Sequence, residues 1–150
     1  MGQSLVQLYM HVVFSTKQRR PFLKDRGLRN DLFAYLAGTC KNKSCPAVAL
    51  NGVEDHIHLL CRFGKTIQVS KFIQSLKKNS SEWVKEHAHR RTFYWQSGYG
   101  AFSISPGHVD GLTQYIRDQE EHHKKESFQE EFRRICKRYG IEVDERYVWE

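Results

Sequence analysis

Hydrophobic and polar residues alternate in some segments of this chain and recur at helical intervals in others, which predicts a mixed α+β protein. Residues 5–15 alternate and are rich in β-branched and aromatic side chains, so they should form a strand. Residues 25–43 carry apolar side chains at helical spacing and should form a helix that ends before Cys45-Pro46. The chain is therefore predicted to open with a strand followed by a helix.

The middle of the chain predicts a hairpin and a second helix. Residues 47–52 and 56–63 should form the two strands of the hairpin, because Asn51-Gly52 has the composition of a tight turn between them. Apolar residues then recur at helical spacing across residues 69–84, which indicates one buried helix face.

The last third of the chain predicts a short strand and two further helices. Residues 101–105 should form the strand, and Pro106-Gly107 interrupts the chain directly after it. Apolar residues at helical spacing over residues 109–116 predict the next helix. Residues 128–139 should form the final helix, closed by Gly140.

Two histidines separated by one apolar residue suggest a metal site. Because alternate residues of a strand share a face, His56 and His58 would project together from a strand. Their Cα atoms would lie roughly 6 to 7 Å apart, close enough for both imidazoles to bind one divalent ion. A complete site needs at least one more donor.

The helix predicted to begin near residue 109 and to continue past residue 116 offers that donor together with a nucleophile. Tyr115 and Gln119 are four residues apart and would share one helix face. The Gln119 amide oxygen could be the third metal ligand. The Tyr115 hydroxyl could attack a phosphodiester and form a covalent intermediate, which divides one difficult displacement into two easier ones.

The charge balance favours a polyanionic partner. The chain has 24 Lys plus Arg against 17 Asp plus Glu, a formal net charge of +7. Basic clusters could contact phosphates, and aromatic side chains between them could stack on unpaired bases. The candidate nucleic-acid contacts are Lys17, Arg19, Arg20, Lys77, Lys78, Arg90, Arg91, Trp95 and Tyr99. Composition alone does not separate DNA from RNA.

Length and patterning predict one domain, residues 1–150, without repeats or long linkers. No apolar run is long enough to cross a membrane, and the N-terminus lacks a signal-peptide pattern, so a cytoplasmic protein without membrane contacts is expected. No cysteine pair has Cys-x-x-Cys spacing, which favours reduced core thiols. The four cysteines are Cys40, Cys45, Cys61 and Cys136.

These motifs together resemble one family, the single-tyrosine HUH transposases of small insertion sequences and their REP-associated relatives. The family is named for its histidine-hydrophobic-histidine metal motif, and the resemblance extends over nearly the whole chain. Its motifs occur in family order: residues 11–17 (HVVFSTK), His56-Ile57-His58, residues 95–103 (WQSGYGAFS) and Tyr115-x-x-x-Gln119.

The resemblance implies an α+β ferredoxin-like fold, similar to an RNA-recognition domain. An antiparallel sheet would have helices on one face, and a C-terminal helix would carry the nucleophilic tyrosine. Residues His56, His58 and Gln119 would hold a divalent metal, Mg²⁺ or Mn²⁺, on the scissile phosphate.

The resemblance also implies an activity and partners. Tyr115 would cleave single-stranded DNA containing hairpins, leaving a 5′-phosphotyrosine and a free 3′-hydroxyl, and another 3′-hydroxyl would rejoin the strand. In family dimers the tyrosine helix of one subunit commonly serves the histidines of the other, so a homodimer with shared active sites is expected. The sequence does not itself determine whether Tyr115 acts in cis or in trans.

Two other protein classes remain open. Histidine-triad nucleotide hydrolases also carry His-x-His on a strand, but their third histidine would fall at Leu60 here. A ferredoxin-like sheet with basic and aromatic residues is also the architecture of RNA-recognition modules, which bind without cutting. The intact histidines, Tyr115 and Gln119 favour the enzyme.

Several residues have a plainer interpretation. His122 and His123 lie in the charged run 120–126, which is typical of a solvated face, so they are left out of the predicted site. Residues 95–100 could be a glycine turn with aromatic side chains anchored in the core. Glu54 and Asp55 could orient an imidazole, although a charged hairpin turn explains them as well.

Overall fold

The computed structural model describes residues 2–150, which form one antiparallel sheet and five helices. The strands are β1 (Tyr9–Ser15), β2 (Ala47–Gly52), β3 (His56–Arg62) and β4 (Gly100–Ile104). The helices are α1 (Arg26–Asn42), α2 (Val69–His87), α3 (Val109–Arg117), α4 (Gln119–His122) and α5 (Phe128–Arg138). Short 3₁₀ turns at Lys17–Arg19 and Pro106–His108 follow β1 and β4.

The strand order is that of a ferredoxin-like sheet. The strands lie in the order β2-β3-β1-β4, and every neighbouring pair is antiparallel. Helix α1 connects β1 to β2, and α2 connects β3 to β4, which makes the β-α-β-β-α-β unit of this fold. The predicted α+β ferredoxin-like fold is confirmed.

The two faces of the sheet carry different side chains because strand residues alternate between them. One face, with Val12, Phe14 and Leu59, packs against α1 and α2 in the main core. The opposite face carries the histidines and is covered by α3, α4 and α5. The two long helices thus share one face as predicted, and the C-terminal helices add a further layer.

Local sequence signals fix the ends of α5. Ser127 and Glu130 form a capping box, in which the Ser127 hydroxyl accepts a hydrogen bond from the Glu130 amide at 3.2 Å. Gly140 follows the helix with a φ of 67°, a backbone conformation that glycine adopts without steric cost. The predicted final helix is confirmed, ending at Arg138.

The predicted turn at Asn51-Gly52 is wrong. Both residues belong to β2, where Asn51 pairs with His58 and Gly52 pairs with Ile57. The chain reverses over residues 53–55, held by a hydrogen bond from the Thr16 amide to the Asp55 carbonyl at 2.8 Å. Pairing with β3 and the contact from Thr16, directly after β1, therefore override the local preference of Asn-Gly for a turn.

Three other boundaries differ from their predictions. Strand β1 begins at Tyr9 instead of residue 5, and β4 ends at Ile104. The helix expected to carry both Tyr115 and Gln119 ends at Arg117, and Gln119 begins the separate helix α4. The tyrosine and the glutamine therefore lie on two successive helices.

The cysteines match the sequence expectation. All four cysteines are buried free thiols, as predicted. Burial raises the pKa of Cys40 to about 12, which keeps this thiol protonated and unreactive at neutral pH. Within residues 2–150, no helix has both the length and the apolar composition to cross a bilayer.

Replacement of Gly52 by alanine should destabilise the protein by about 2 kcal/mol, because its methyl group would collide with the backbone carbonyl of His56. Gly38→Ala on α1 is the control, since nothing surrounds that position and the exchange should stabilise the helix by about 0.5 to 1 kcal/mol. Urea denaturation measures both effects. Equal stability of the two variants would contradict the close approach at Gly52.

Candidate active site

The histidine pair lies in the middle of the sheet and is inaccessible to solvent. His56 and His58 on β3 are both 0% exposed, and their ring centroids are 5.2 Å apart. Both side chains lie on the sheet face that α3, α4 and α5 cover. Burial of two polar rings is costly unless each nitrogen has a partner, so their neighbours define the chemistry of the site.

Three imidazole nitrogens and one carboxylate oxygen converge beneath the C-terminal helices. The potential ligand atoms of His56, His58, His123 and Glu131 all lie within 4.8 Å of one another. Glu131 Oε1 is 2.7 Å from His58 Nε2 and 3.0 Å from His123 Nε2. His56 Nε2 is 3.1 Å from His123 Nε2 and 3.4 Å from Glu131 Oε1. We call these four residues the histidine–glutamate cluster.

Two further residues orient the rings of the histidine pair. His56 Nδ1 lies 2.7 Å from Asp55 Oδ1, and the carboxylate accepts a hydrogen bond from this ring nitrogen. His58 Nδ1 lies 2.8 Å from Nε2 of the buried His11. With each Nδ1 engaged, both Nε2 atoms face the cluster, which is how metal-binding histidines are usually held. The orienting role considered for Asp55 thus agrees with its position.

Burial and the buried carboxylate set the protonation of the cluster. Burial lowers the pKa of His58 to about 4 and that of His11 to about 3, so both are neutral at pH 7. Burial also opposes a charge on His56, but hydrogen bonds with Asp55 and Glu131 outweigh it and raise the pKa of His56 to about 9. Burial would raise the pKa of Glu131, yet the three histidines hold it well below its usual range.

The donor set suits a divalent metal ion. Four ligands around a tetrahedral ion with bonds of about 2.0 to 2.1 Å are separated by about 3.4 Å. The four separations given above are 2.7 to 3.4 Å, and all six lie within 4.8 Å, so small shifts of the side chains would admit the ion. Three imidazoles and a carboxylate favour an ion such as Mn²⁺ or Zn²⁺ over Mg²⁺, which prefers oxygen ligands, and His56 would release its Nε2 proton to bind the ion.

Tyr115 on α3 is tied to the same cluster. Its hydroxyl donates to Glu131 Oε2, and the Arg134 guanidinium donates to the phenol oxygen at 2.8 Å. Its ring centroid is 6.1 Å from that of His58. Burial and the Glu131 carboxylate raise the pKa of Tyr115, while Arg134 acts in the opposite direction. One carboxylate thus joins the nucleophile candidate to the possible metal ligands.

Gln119 lies at the edge of this arrangement. Its side chain is fully buried, and its Oε1 is 3.3 Å from His56 Nε2. Its amide nitrogen donates to Glu131 Oε2 at 3.3 Å. The structure therefore brings together Tyr115, Gln119 and the histidine pair from separate elements. Two further residues, which were not among the predicted site residues, lie beside them.

Those two residues are His123 and Glu131. His123 was assigned to a solvated face, which is wrong, because the chain turns after α4 and directs its ring into the cluster. Glu131 carried one signal in the sequence. It interrupts the apolar stripe of α5 that contains Phe128, Phe132 and Ile135, and a carboxylate on a buried helix face needs a partner.

Two of the predicted nucleic-acid contacts have structural roles instead. Trp95 is in the core, where its indole donates to the Ser80 hydroxyl at 2.9 Å and packs edge-on against Phe14, so it cannot stack on a base. The Lys77 ammonium donates to three backbone carbonyls of residues 96–98. Burial lowers the pKa of Lys77 to about 8. Neither residue is available to bind a phosphate or a base.

The other nucleic-acid candidates lie at the surface of the protein. Arg19 is half-buried and contacts the Trp149 ring and carbonyl, and the Tyr99 ring is 39% exposed. Their contact with nucleic acid stays a prediction. The remaining members of the set are all exposed: Lys17, Arg20, Lys78, Arg90 and Arg91.

Helix α3 is fixed on the sheet from two sides. Ile116 is completely buried against Ala49 and Leu60. The Asn51 amide donates to the carbonyls of Ile116 and Arg117, both at 3.0 Å, and so satisfies the otherwise unpaired end of the helix. Tyr115 directly precedes Ile116 on α3. Asn51 is therefore a positioning residue for Tyr115.

Fold and site together define a ferredoxin-like protein with a tyrosine beside a buried histidine cluster. The sequence model of the family "Transposase IS200 like" matches residues 4–119. The chain belongs to this family, and the resemblance stated from the sequence is confirmed. Family membership supports a transposase, an enzyme that cleaves and transfers DNA. No curated protein matches this chain.

Two solved structures share the fold. A crystal structure of a predicted transposase from Deinococcus radiodurans R1 has a TM-score of 0.62 and 23% identity, covering 79% of this chain and 96% of that chain. A REP-associated tyrosine transposase bound to a REP hairpin has a TM-score of 0.60 and 12% identity, covering 82% of this chain and 73% of that one.

Asn51→Ala should loosen the end of α3 without unfolding the sheet. The loss of the two hydrogen bonds that the Asn51 amide donates should cost about 1 kcal/mol. Amide hydrogen exchange in residues 113–117 should accelerate, whereas the control Asn30→Ala on the exposed side of α1 should leave it unchanged. Unchanged exchange in Asn51→Ala would show that Ile116 alone holds the helix.

Proposed function

We propose that this protein is a metal-dependent single-strand endonuclease and transposase that uses Tyr115 as its nucleophile. The observation that carries the proposal is the position of Glu131. One carboxylate oxygen faces the three histidines, and the other accepts the Tyr115 hydroxyl. A carboxylate shared in this way supports the proposal, because a phosphodiester bound at the cluster would lie next to the phenol oxygen.

The proposed substrate is single-stranded DNA that contains hairpins. The structural relative with a REP hairpin bound supports this substrate class, since its fold covers 82% of the present chain. The formal net charge of +7 and the exposed basic residues before α1 and after α2 are consistent with a polyanion.

The metal would be held by the histidine–glutamate cluster, with Gln119 Oε1 as an additional oxygen. When bound, the ion would polarise the scissile phosphate and neutralise charge that builds up on its oxygens. His56, His58 and Gln119 were the ligands expected from the sequence. His123 and Glu131 extend this set, and their chemistry makes Mn²⁺ a better fit than Mg²⁺.

The proposed cleavage is a direct displacement at phosphorus. The Tyr115 oxygen forms a bond to phosphorus, and the bond from phosphorus to the 3′-oxygen breaks. The phenolic proton passes to water as the new bond forms, because the histidines keep Glu131 too weak a base to take it, and the departing 3′-oxygen takes a proton from water. A different 3′-hydroxyl later attacks the 5′-phosphotyrosine, and Tyr115 recovers its proton as the strand is rejoined.

Arg134 would support this step from the other side of the phenol. Its guanidinium donates to the Tyr115 oxygen and is itself oriented by Glu126 through two hydrogen bonds of 2.9 and 3.0 Å. A fixed positive charge beside the phenol stabilises negative charge on that oxygen as the proton leaves. Arg134 is thus proposed to position and activate the nucleophile.

A single chain is proposed to contain a whole active site. Tyr115 contacts Glu131 of its own chain, and its ring lies beside His58 of the same chain. This arrangement favours cleavage in cis over the shared sites that the family resemblance implies. Formation of a homodimer remains a prediction, and it is independent of which chain supplies the tyrosine.

The covalent intermediate provides the direct test. The protein should form an adduct with a labelled single strand carrying the palindrome next to its own gene, visible on a denaturing gel. Adduct should form with Mn²⁺ or Mg²⁺ and disappear with EDTA. Tyr115→Phe should abolish it, at least about 10³-fold, because no other hydroxyl replaces the nucleophile.

Tyr35→Phe on α1 is the matched control, because Tyr35 lies on the opposite side of the sheet, stacked on Trp83. It should form adduct at the wild-type rate. Cleavage that survives Tyr115→Phe would indicate attack by water instead. Tight binding without adduct under any metal would favour the alternative function, a non-catalytic module that binds single-stranded nucleic acid.

Mixing two inactive variants distinguishes cis from trans cleavage. Tyr115→Phe and His58→Ala each lack one part of the site, and their mixture should stay inactive because no single chain contains both parts. Adduct formation is again the measurement, with size-exclusion chromatography of the mixture as the control for assembly. Recovery of up to about a quarter to a half of wild-type activity in the mixture would establish shared sites.

A further inference from the structure

A cleft beside Tyr115 has no role in the chemistry described so far. It has a volume of about 920 Å³ and lies between β4, the start of α3 and the outer face of α5. Tyr115 and Arg134 line its inner end, next to the histidine–glutamate cluster. Cavities of roughly 300 to 1,000 Å³ hold small ligands, so the cleft has room for a nucleotide.

The chemistry of the walls is that of a nucleotide site. Arg134 and Arg138 provide positive charge, and no carboxylate lines the cleft. Glu126 pairs with Arg134 from outside the lining. Arg138 makes no ion pair within residues 2–150, so its charge is free for a phosphate.

Tyr139 provides an aromatic surface in the same cleft. Its hydroxyl donates to the Ser103 carbonyl at 2.9 Å, which fixes the ring against β4. The side chain remains 39% exposed, and apolar groups of Leu112 and Ile135 line the cleft with it. A fixed aromatic ring beside aliphatic groups is a suitable surface for stacking a planar base.

We propose that this cleft binds an unpaired nucleotide of the DNA strand that adjoins the scissile phosphate. The base lies against Tyr139, and the backbone phosphate contacts the two arginines. The strand then enters the active site along α5, with its next phosphate beside Tyr115. This inference rests on the proposed function, because it identifies the cleft by its position next to the nucleophile.

The test fills the cleft without removing any functional side chain. Gly111 on α3 lines the cleft, and nothing lies within 4 Å of the position its Cβ would occupy, so Gly111→Leu extends a side chain into the opening. Leucine also favours a helix more than glycine does, which preserves α3. Gly38→Leu on α1 is the matched control, again an unobstructed helical glycine, but on the opposite side of the sheet.

A second pair of variants removes charge instead of adding volume. Arg138→Gln deletes a cleft cation, and Lys137→Gln deletes a cation of the same helix that does not line the cleft. Binding is measured by fluorescence polarisation with two labelled probes. One is the hairpin of the palindrome next to the gene with ten unpaired nucleotides attached on both sides, and the other is the same hairpin with blunt ends.

Wild type should bind the extended hairpin more tightly than the blunt one. Gly111→Leu and Arg138→Gln should each lose about tenfold in affinity for the extended hairpin. The first variant blocks the stacking of the base, and the second removes a phosphate contact. Both should bind the blunt hairpin as wild type does. Gly38→Leu and Lys137→Gln should match wild type with both probes.

The outcomes separate this inference from the proposed function. If wild type forms the adduct while the cleft variants bind the extended hairpin normally, the cleft inference is wrong and the nuclease proposal stands. Equal wild-type affinity for the two probes would also contradict the inference. If the cleft variants lose affinity but wild type forms no adduct, the cleft binds DNA and the nuclease proposal fails.

Discussion

The active-site arrangement depends on the buried carboxylate of Glu131. A carboxylate without solvent is costly unless it is paired and fully hydrogen-bonded, and Glu131 is 0% exposed. Its two oxygens meet this requirement by accepting from His58, His123, Tyr115 and Gln119. Each of these partners comes from β3 or from the helices on the same side of the sheet. The hydrogen bonds to this one buried carboxylate therefore hold β3, α3 and α5 in a single arrangement.

That requirement also explains how the proposed nucleophile is connected to the proposed metal ligands. Tyr115 lies on α3, which the side chain of Asn51 and the burial of Ile116 fix against the sheet. The tyrosine hydroxyl then has one carboxylate acceptor and one guanidinium donor. The phenol is held in one orientation by charged hydrogen bonds, which is the form of preorganisation that accelerates displacement at phosphorus.

The sheet and the histidine pair were predictable because their signals are local. Alternation in β1 and β3 follows directly from the pleat, and it correctly places His56 and His58 on one face. The prediction of a turn at Asn51-Gly52 was wrong because pairing with β3 outweighs the local preference of these residues for a turn. His123 could not be predicted from its charged neighbours, since its direction depends on how the chain turns between α4 and α5. Glu131 was recognisable only as a carboxylate within an apolar helix face, without any indication of its partner.

The site residues that the sequence pattern did not predict lie beyond the residues that match the family model. The match ends at residue 119, whereas His123, Glu131 and Arg134 follow it. The family region thus contributes the sheet, the histidine pair, Tyr115 and Gln119. The segment after it contributes a third imidazole, the buried carboxylate and the guanidinium beside the phenol. Helix α5 therefore completes the site chemically as well as covering the sheet.

The most direct measurement is anomalous X-ray diffraction from crystals of the protein grown with MnCl₂. The account predicts one strong anomalous peak at about 2.0 to 2.3 Å from the Nε2 atoms of His56, His58 and His123 and from Glu131 Oε1. The Tyr115 hydroxyl should remain hydrogen-bonded to the other Glu131 oxygen. A cluster without a peak at saturating Mn²⁺, or a manganese ion bound elsewhere with the four side chains apart, would contradict it.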